Sequence, residues 1–366
     1  MSNPKILHLS TPISWRGGEQ QLVYTFEELL GRDISQIILC PEGSELAAYC
    51  KKNKLPYATA PKRSSLDLAF AKKVASLVKE HGFDLVHAHD SHAHTFSILA
   101  SLLYGMKQPI VLHRRVDYPV SQSFFSRYKY NHPQIKRIIC VSEEVKRVLS
   151  RSLKKPSKAV VVYSGINTAK FIFPEVNPLH KEFKIPKEKI LIGNVAAITQ
   201  QKDYFTFVAA AERIYESRKD VHFLAIGDGD QREQIENLVQ EKGLKKAFTF
   251  TGFRKDVNQL LPALDILMFS SEKEGLGTTI IDAFAAKVPV VSTAAGGIPE
   301  LVVPGETGLL AEVKNPEQLA DGILKLIDNP SMKSDLVNTA FDKSKYFSKE
   351  KTAEHILSVY DDIIGS

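Results

Sequence analysis

Glu274 and Asp282 stand eight positions apart in SSEKEGLGTTIIDAFAAKVPVVSTAAGGIPELV, residues 270–302, with a glycine-rich turn between them. Gly275 and Gly277 let a ligand approach the backbone closely. A helix expected to begin near Thr278 or Thr279 offers unpaired N–H groups suited to a phosphate. Asp282 falls one turn beyond Thr278 on the same face, within reach of the same ligand. Glu274 precedes the helix, where a negative charge sits badly beside phosphate. Hydroxyl groups, which donate paired hydrogen bonds to a carboxylate, suit it better. A phosphorylated, hydroxyl-rich molecule such as an activated sugar satisfies both ends. A second glycine turn, AAGGIPE at 294–300, closes on Glu300 at the same edge.

The N-terminal half carries its own clusters. STPISWRGGEQQLVYTFEEL (10–29) runs through Gly17-Gly18 into a helix, but it is not a dinucleotide fingerprint, and no acidic residue ends a second strand in that pattern. GDGDQREQ (227–234) holds half of such a fingerprint, and no P-loop occurs. HAHDSHAH (87–94) has four histidines: His87 and His89 share a strand face, and His92 and His94 open the next helix. No cysteine or second carboxylate beyond Asp90 completes a ligand set, so no metal is expected. The expected use of His89 and His94 is to orient a sugar or an acceptor. HRRVDYPVSQSFFSRYKYN (113–131) interleaves Arg114, Arg115, Arg127 and Lys129 with aromatic residues, a mixture suited to an anionic membrane interface.

Thirteen short β-branched runs position these residues. Seven lie in the first half, at 5–10, 35–40, 57–60, 84–89, 109–113, 137–142 and 159–165. Six follow at 190–197, 221–229, 248–253, 265–271, 288–295 and 308–313. Continuous apolar runs of this length fit parallel strands covered on both faces. Amphipathic stretches separate them, among them LDLAFAKKVASLVKEHG (66–82) with its glycine stop signal. FSILASLLYGM (96–106) reads as one buried helix. The alternation implies two doubly wound α/β domains, at 1–170 and 189–345, with ligand in the cleft between them at the strand C-termini. Residues 171–188 read as a linker, and a last helix in 346–366 is expected to pack back toward the first domain.

The chain has 366 residues, 43% hydrophobic and 25% charged, the profile of a globular protein of two domains. No apolar run approaches a membrane span, the N-terminus has no signal pattern, and the three cysteines form no CxxC, so a cytoplasmic location is expected. Net charge is +6, divided unevenly: residues 1–170 hold 25 Lys+Arg against 13 Asp+Glu, and the remainder 23 against 29. A basic half points to an anionic partner.

GGEQQL, HAHDSHAH, VSEEVKRVL (141–149), VVYSGINTAKF (161–171), NVAAITQQKD (194–203), GDGDQRE, TGFRKDV (251–257), EKEGLGTTIIDAFA and PVVSTAAGGIPELV together resemble the retaining glycosyltransferases of family 4. The resemblance covers nearly the whole chain and implies the α/β GT-B fold, two facing Rossmann-like domains. It implies a nucleoside-diphosphate sugar donor used as substrate, with no cofactor and no metal, and a glycan or lipid-linked acceptor of cell-envelope synthesis. By that likeness Gly17 and Gly18 would meet the distal phosphate, Lys202 would neutralise the diphosphate, and Glu274 would bind the sugar hydroxyls. Gly275, Leu276, Gly277 and Thr278 would meet sugar and phosphates, Asp282 the ribose, and Phe253 and Arg254 the nucleobase.

Three departures from the family pattern stand out. Asp282 replaces a glutamate. Ala197 stands where many members carry an arginine, so either Arg16 or another cation substitutes or the leaving group is stabilised less. His113, Arg114, Arg115 and Asp117 crowd a position usually held by one histidine; His113 is assigned the catalytic place, and Arg115 and Asp117 that of orienting the sugar or acceptor. A GT-B epimerase of nucleotide sugars and a non-catalytic glycan- or nucleic-acid-binding module are the alternatives, with nucleic acid disfavoured by the paired domains.

Overall fold

A computed structural model describes residues 4–365. The chain divides into two units: residues up to Gly165 together with those from Lys349 onward, and Ile166–Ser348. The first unit contains β1 (Lys5–Leu9), β2 (Ser35–Pro41), β3 (Tyr57–Ala60), β4 (Leu85–Ala88), β5 (Ile110–Arg114), β6 (Ile135–Cys140) and β7 (Ala159–Val161). They form one parallel sheet in the order β3-β2-β1-β4-β5-β6-β7. The second unit contains β8 (Ile190–Val195), β9 (Val221–Ile226), β10 (Phe248–Gly252), β11 (Ile266–Phe269), β12 (Val290–Thr293) and β13 (Leu309–Ala311). These are also all parallel, in the order β10-β9-β8-β11-β12-β13. Each sheet reverses its winding once, between β1 and β4 and between β8 and β11, and the crevice at such a reversal is where doubly wound sheets bind ligands.

Local chemistry sets the helix limits. Asp67 caps Leu68–His81 by accepting from the backbone N–H groups of Ala69 and Phe70, and Gly82 ends it at φ 63°, a left-handed conformation that suits glycine. The helix Ser91–Tyr104 is buried through most of its length, but Leu102 and Leu103 in its last turn are exposed, so the expected buried helix holds only in part. Among the described residues no helix is long and apolar enough to cross a membrane.

The 171–188 stretch lies within the second unit and includes a short helix, Pro178–Glu182, whose Leu179 is fully buried. The final helix, Lys349–Ile364, belongs to the first unit. Its Ala353, Ile356 and Tyr360 share a core with Ile6, Leu85, Val111 and Ile139 from four strands. Each such fully buried large side chain contributes about 1.5–3 kcal/mol. Lys349 pairs with Glu28, and Thr352 Oγ1 donates to the Tyr163 carbonyl at 3.0 Å. The second core is aromatic at its centre, where Phe207 meets Phe223 and Phe248 edge-on.

Candidate functional site

In the second unit the chain leaves β8 and enters a 3-10 turn, Gln200–Lys202, that delivers Lys202 to the C-terminal edge of the sheet. The loop after β11 delivers Glu274 beside it. Backbone and side-chain bonds join the two loops: Glu272 N donates to the Gln201 carbonyl at 2.8 Å, and Ser270 Oγ to the Lys202 carbonyl at 2.9 Å. Lys202 Nζ forms an ion pair with Glu274 Oε1, and Ser271 Oγ donates to the same oxygen at 3.0 Å. Both charged groups are mostly buried yet reachable, with side chains 24% and 11% exposed. Paired in this way, each offsets the other's charge.

Gly277, at φ 91°, immediately precedes the helix Thr278–Ala285. That conformation is strained for any residue with a Cβ, so the glycine is required where the helix starts. Thr279 Oγ1 donates to the Val195 carbonyl at 3.3 Å and ties this helix to the end of β8. The Leu276 side chain is buried, so only its backbone can serve a ligand. Asp282 lies one turn in and makes an ion pair with Lys170 at 2.7 Å, a partner sequence reasoning missed. Burial raises the Asp282 carboxyl above its usual value, and Lys170 opposes that rise.

Arg254 is committed to protein partners. It donates to Glu182 at 2.5 and 3.0 Å and to Asp256 at 2.9 and 2.7 Å, and these hydrogen bonds raise its already high pKa. Its side chain therefore braces a loop, leaving its backbone and the 73%-exposed ring of Phe253 free to meet a ligand. The half-fingerprint GDG has a structural cause. A Cβ on Gly227 would sit 2.1 Å from the Ala196 carbonyl oxygen, and one on Gly229 would sit 2.2 Å from that of Ile198.

The corresponding edge of the first unit is built differently. Gly17 and Gly18 open the helix Gly17–Leu30, and a Cβ on either would meet nothing within 4 Å. Nothing in the chain's own packing demands glycine there. Arg16, just before them, is exposed, and its backbone N–H donates to Glu19 at 3.1 Å. Asp90 is fully engaged as a helix cap, accepting from Thr11 N and Oγ1 and from the N–H groups of His92 and Ala93 at 2.7–3.0 Å.

Beneath this edge three buried histidines, His8, His87 and His89, gather with the half-buried His113. His8 Nδ1 lies 3.0 Å from His89 Nε2, and His8 Nε2 lies 3.0 Å from Gln36 Oε1. The Gln36 amide nitrogen donates to the Phe26 carbonyl at 2.6 Å, so its oxygen must face His8. His8 therefore carries its proton on Nε2, and His89 carries its own on Nε2 and donates to His8. His89 Nδ1 is left to accept from Arg115 Nη2 at 3.2 Å. The result is a one-directional relay, Arg115 to His89 to His8 to Gln36 to backbone, in which both imidazoles are neutral. Burial holds His8 down at about 4 and His87, His89 and His113 well below their usual value.

This relay revises two expectations. His89 has both ring nitrogens occupied and acts on Arg115 rather than on a ligand. His94 donates toward the Lys129 carbonyl at 3.1 Å, with its ring edge-on to Tyr130, and so fastens the helix Phe124–Tyr130. His8, His87 and His89 bring ligating atoms within 4.8 Å of one another, yet His8 and His89 already spend theirs on each other. His87 Nδ1 lies 2.6 Å from the Tyr360 hydroxyl. His113 remains with both nitrogens buried and unpartnered, close to Arg115, and Asp117 lies partly buried in the loop beyond β5. A histidine inside the apolar strand KILHL was the one signal for His8 that the sequence offered; nothing marked Gln36.

Residues 15–170 match the model of Glycosyltransferase Family 4, and residues 176–343 that of Glycosyl transferases group 1. N-acetyl-alpha-D-glucosaminyl L-malate synthase of Bacillus anthracis is 28% identical over 306 residues, 81% of this chain and 80% of that one. UDP-Gal:alpha-D-GlcNAc-diphosphoundecaprenol alpha-1,3-galactosyltransferase of Escherichia coli is 23% identical across 99% of this chain and 98% of its own. The Anabaena HepE crystal structure with UDP and glucose shares the fold, with a TM-score of 0.85 at 20% identity over 98% of this chain and 100% of that one. Two doubly wound parallel sheets, each with its strand ends equipped as above, and two matched models in sequence place the chain among the glycosyltransferases, as a family 4 domain followed by a group 1 domain.

Proposed function

We propose that the chain moves a sugar from a nucleoside-diphosphate sugar to a hydroxyl of a glycan or glycolipid acceptor, with retention of anomeric configuration and without a metal ion. The observation that carries this reading is the Lys202–Glu274 pair beside a glycine-started helix N-terminus. The donor separates the pair: Glu274 turns to the sugar hydroxyls and Lys202 to the diphosphate. The backbone at Gly275, Leu276 and Gly277, with Thr278 and the helix N-terminus, offsets charge developing on the leaving oxygen. Asp282 meets the ribose once Lys170 gives way, and Phe253 stacks on the base, for which uridine is the first choice. Gly17, Gly18 and Arg16 serve the distal phosphate, and neutral His113 hydrogen-bonds the sugar.

In the chemical step the bond from the anomeric carbon to the diphosphate oxygen breaks. The acceptor oxygen bonds to that carbon from the same face, and the acceptor's proton passes to the departing phosphate. UDP-sugar titration and product analysis test the reading. Glu274→Ala and Lys202→Ala are each expected to cut transfer by about 10²–10³-fold, the scale seen when one group stabilising a developing oxyanion is removed. Unchanged transfer in both would refute it, and conversion of the sugar without acceptor would reassign the chain as an epimerase.

The acceptor side is proposed to work at the cytoplasmic face of a membrane. A cavity of about 790 Å³ in the first unit is lined by Phe124, Arg127, Tyr128, Arg151 and Lys154, and Phe124 is 85% exposed. Aromatic and cationic side chains side by side suit an anionic lipid surface. Sedimentation with vesicles containing phosphatidylglycerol, compared with phosphatidylcholine alone, tests it; equal recovery from both would count against the membrane role.

A further inference from the structure

A smaller cavity of the first unit, about 390 Å³, opens where β4 and β5 end. Arg16, His113, Arg114 and Arg115 line it, and Asp90 is the only carboxylate among its lining residues. The Asp90 oxygens already take four donors and bond neither guanidinium, although Asp90 and Glu19 both favour the charged form of Arg115. Unspent donors remain. Arg114 is 9% exposed, and its Nε is buried without a partner, as is Arg115 Nε; the ring nitrogens of His113, one a donor and the other an acceptor in the neutral ring, are also unpartnered. Buried polar groups left in this state are costly unless a ligand or water meets them.

The cations are also fixed in place. Arg114 donates to the Tyr130 hydroxyl at 2.7 Å and to the Tyr118 carbonyl. Arg115 donates to the His89 carbonyl at 2.8 Å and to His89 Nδ1, at the head of the buried relay. Burial lowers Arg115 to about 10, where it is still charged near neutral pH. Rigid guanidiniums with open hydrogen-bonding positions are the usual receptor for a planar or tetrahedral oxyanion.

We infer that this cavity binds an oxyanion of the acceptor, a phosphate or carboxylate group carried near the hydroxyl that receives the sugar. The preference for an oxyanion follows from the cavity alone; its assignment to the acceptor rests on the transfer reaction proposed above, in which Lys202 and Arg16 already serve the diphosphate and Arg114 and Arg115 are left over.

Calorimetric titration of the full chain with inorganic phosphate, malonate and glycerol, each with and without saturating UDP, tests it. One of the two anions is expected to bind and glycerol is not, and saturating UDP is expected to leave that binding in place. Preference for phosphate assigns a phosphorylated acceptor, and preference for malonate a carboxylic one. Arg115→Gln should weaken the anion by about tenfold, as expected for losing a charge-assisted pair, and Arg115→Lys should restore part of it. UDP affinity should stay unchanged in both variants. Absence of anion binding, indifference to Arg115→Gln in a variant that melts normally, or displacement by UDP would each overturn the assignment. The wild-type titrations decide the matter even if Arg115→Gln does not fold. Loss of UDP binding with anion binding intact would sink the transferase reading and leave the oxyanion site standing.

Discussion

The two sheets wind alike but furnish their C-terminal edges by opposite means. In the second unit every prominent cation is married to an acid: Lys202 to Glu274, Lys170 to Asp282, Arg254 to Glu182 and Asp256. In the first unit the acids are consumed by backbone and hydroxyl donors, the histidines are kept neutral by burial, and arginines are left over. A paired edge holds its geometry without ligand and must exchange partners to bind; a cationic edge waits for an anion. Two domains of one architecture can thus divide labour by how their charges are balanced rather than by how their strands are ordered.

Acid should separate the two units most strongly. A histidine held below its ordinary pKa stabilises the fold above about pH 6.5, and that contribution is lost as pH falls toward the folded value. His8 alone, held at about 4, accounts for about 3 kcal/mol by this linkage. His87, His89, His94 and His113 act in the same direction in the first unit, whereas the second has His222 at about 4. Hydrogen exchange at pH 5 should therefore show protection failing in β1, β4 and β5 before β8 and β11; simultaneous loss would erase the contrast.

The relay can be broken at its far end. Gln36→Leu strands the His8 Nε2 proton in a buried site and should cost about 1–3 kcal/mol in denaturant unfolding. A cost near zero would mean that the relay does not hold Arg115 in place.

Lys170→Met tests the paired edge, with an expected loss of about 1–2 kcal/mol at pH 7 because it leaves a partly buried carboxylate alone. The sign with pH is opposite to that of the histidines. Asp282 is raised in the folded state, so its carboxyl favours folding at low pH and the benefit is lost as pH rises through the folded value. Removing Lys170 should move that loss to higher pH, visible as melting temperatures that decline from pH 4 to 7 more steeply than in the parent chain.

Arg254→Ala should matter least to stability, at about 1 kcal/mol or below, because its acids are largely solvated. A much larger effect in chemical denaturation would show that the paired edge depends on this bracing loop.

All thirteen strands were legible as β-branched apolar runs, since a strand covered on both faces needs little else. Their C-terminal limits were not: ILIGNVAA and VHFLAIGDG stop at Val195 and Ile226, where the small residues beyond them leave the sheet. The Glu274 turn and its helix were readable because glycine, acid and helix are neighbours in sequence. The histidine relay was not, because it joins β1 to residues 28 and 81 positions away, brought together only by the β2-β1-β4 order. Reading HAHDSHAH in isolation gave His89 and His94 ligand roles, whereas neighbouring groups already occupy both ring nitrogens of His89 and Nε2 of His94. Lys170 escaped notice for the same reason: its acid lies far along the chain.

The last helix has a consequence for how the molecule is born. Ile166–Ser348 is an insertion in the first unit's sequence, since the residues that seal that unit's core, Ala353, Ile356 and Tyr360, are synthesised only after it. The second unit can reach its native shape during synthesis, while the unit bearing the histidines must wait, its Tyr360 arriving late to close over His87. A chain truncated before Lys349 would then deliver one finished lobe and one left ajar.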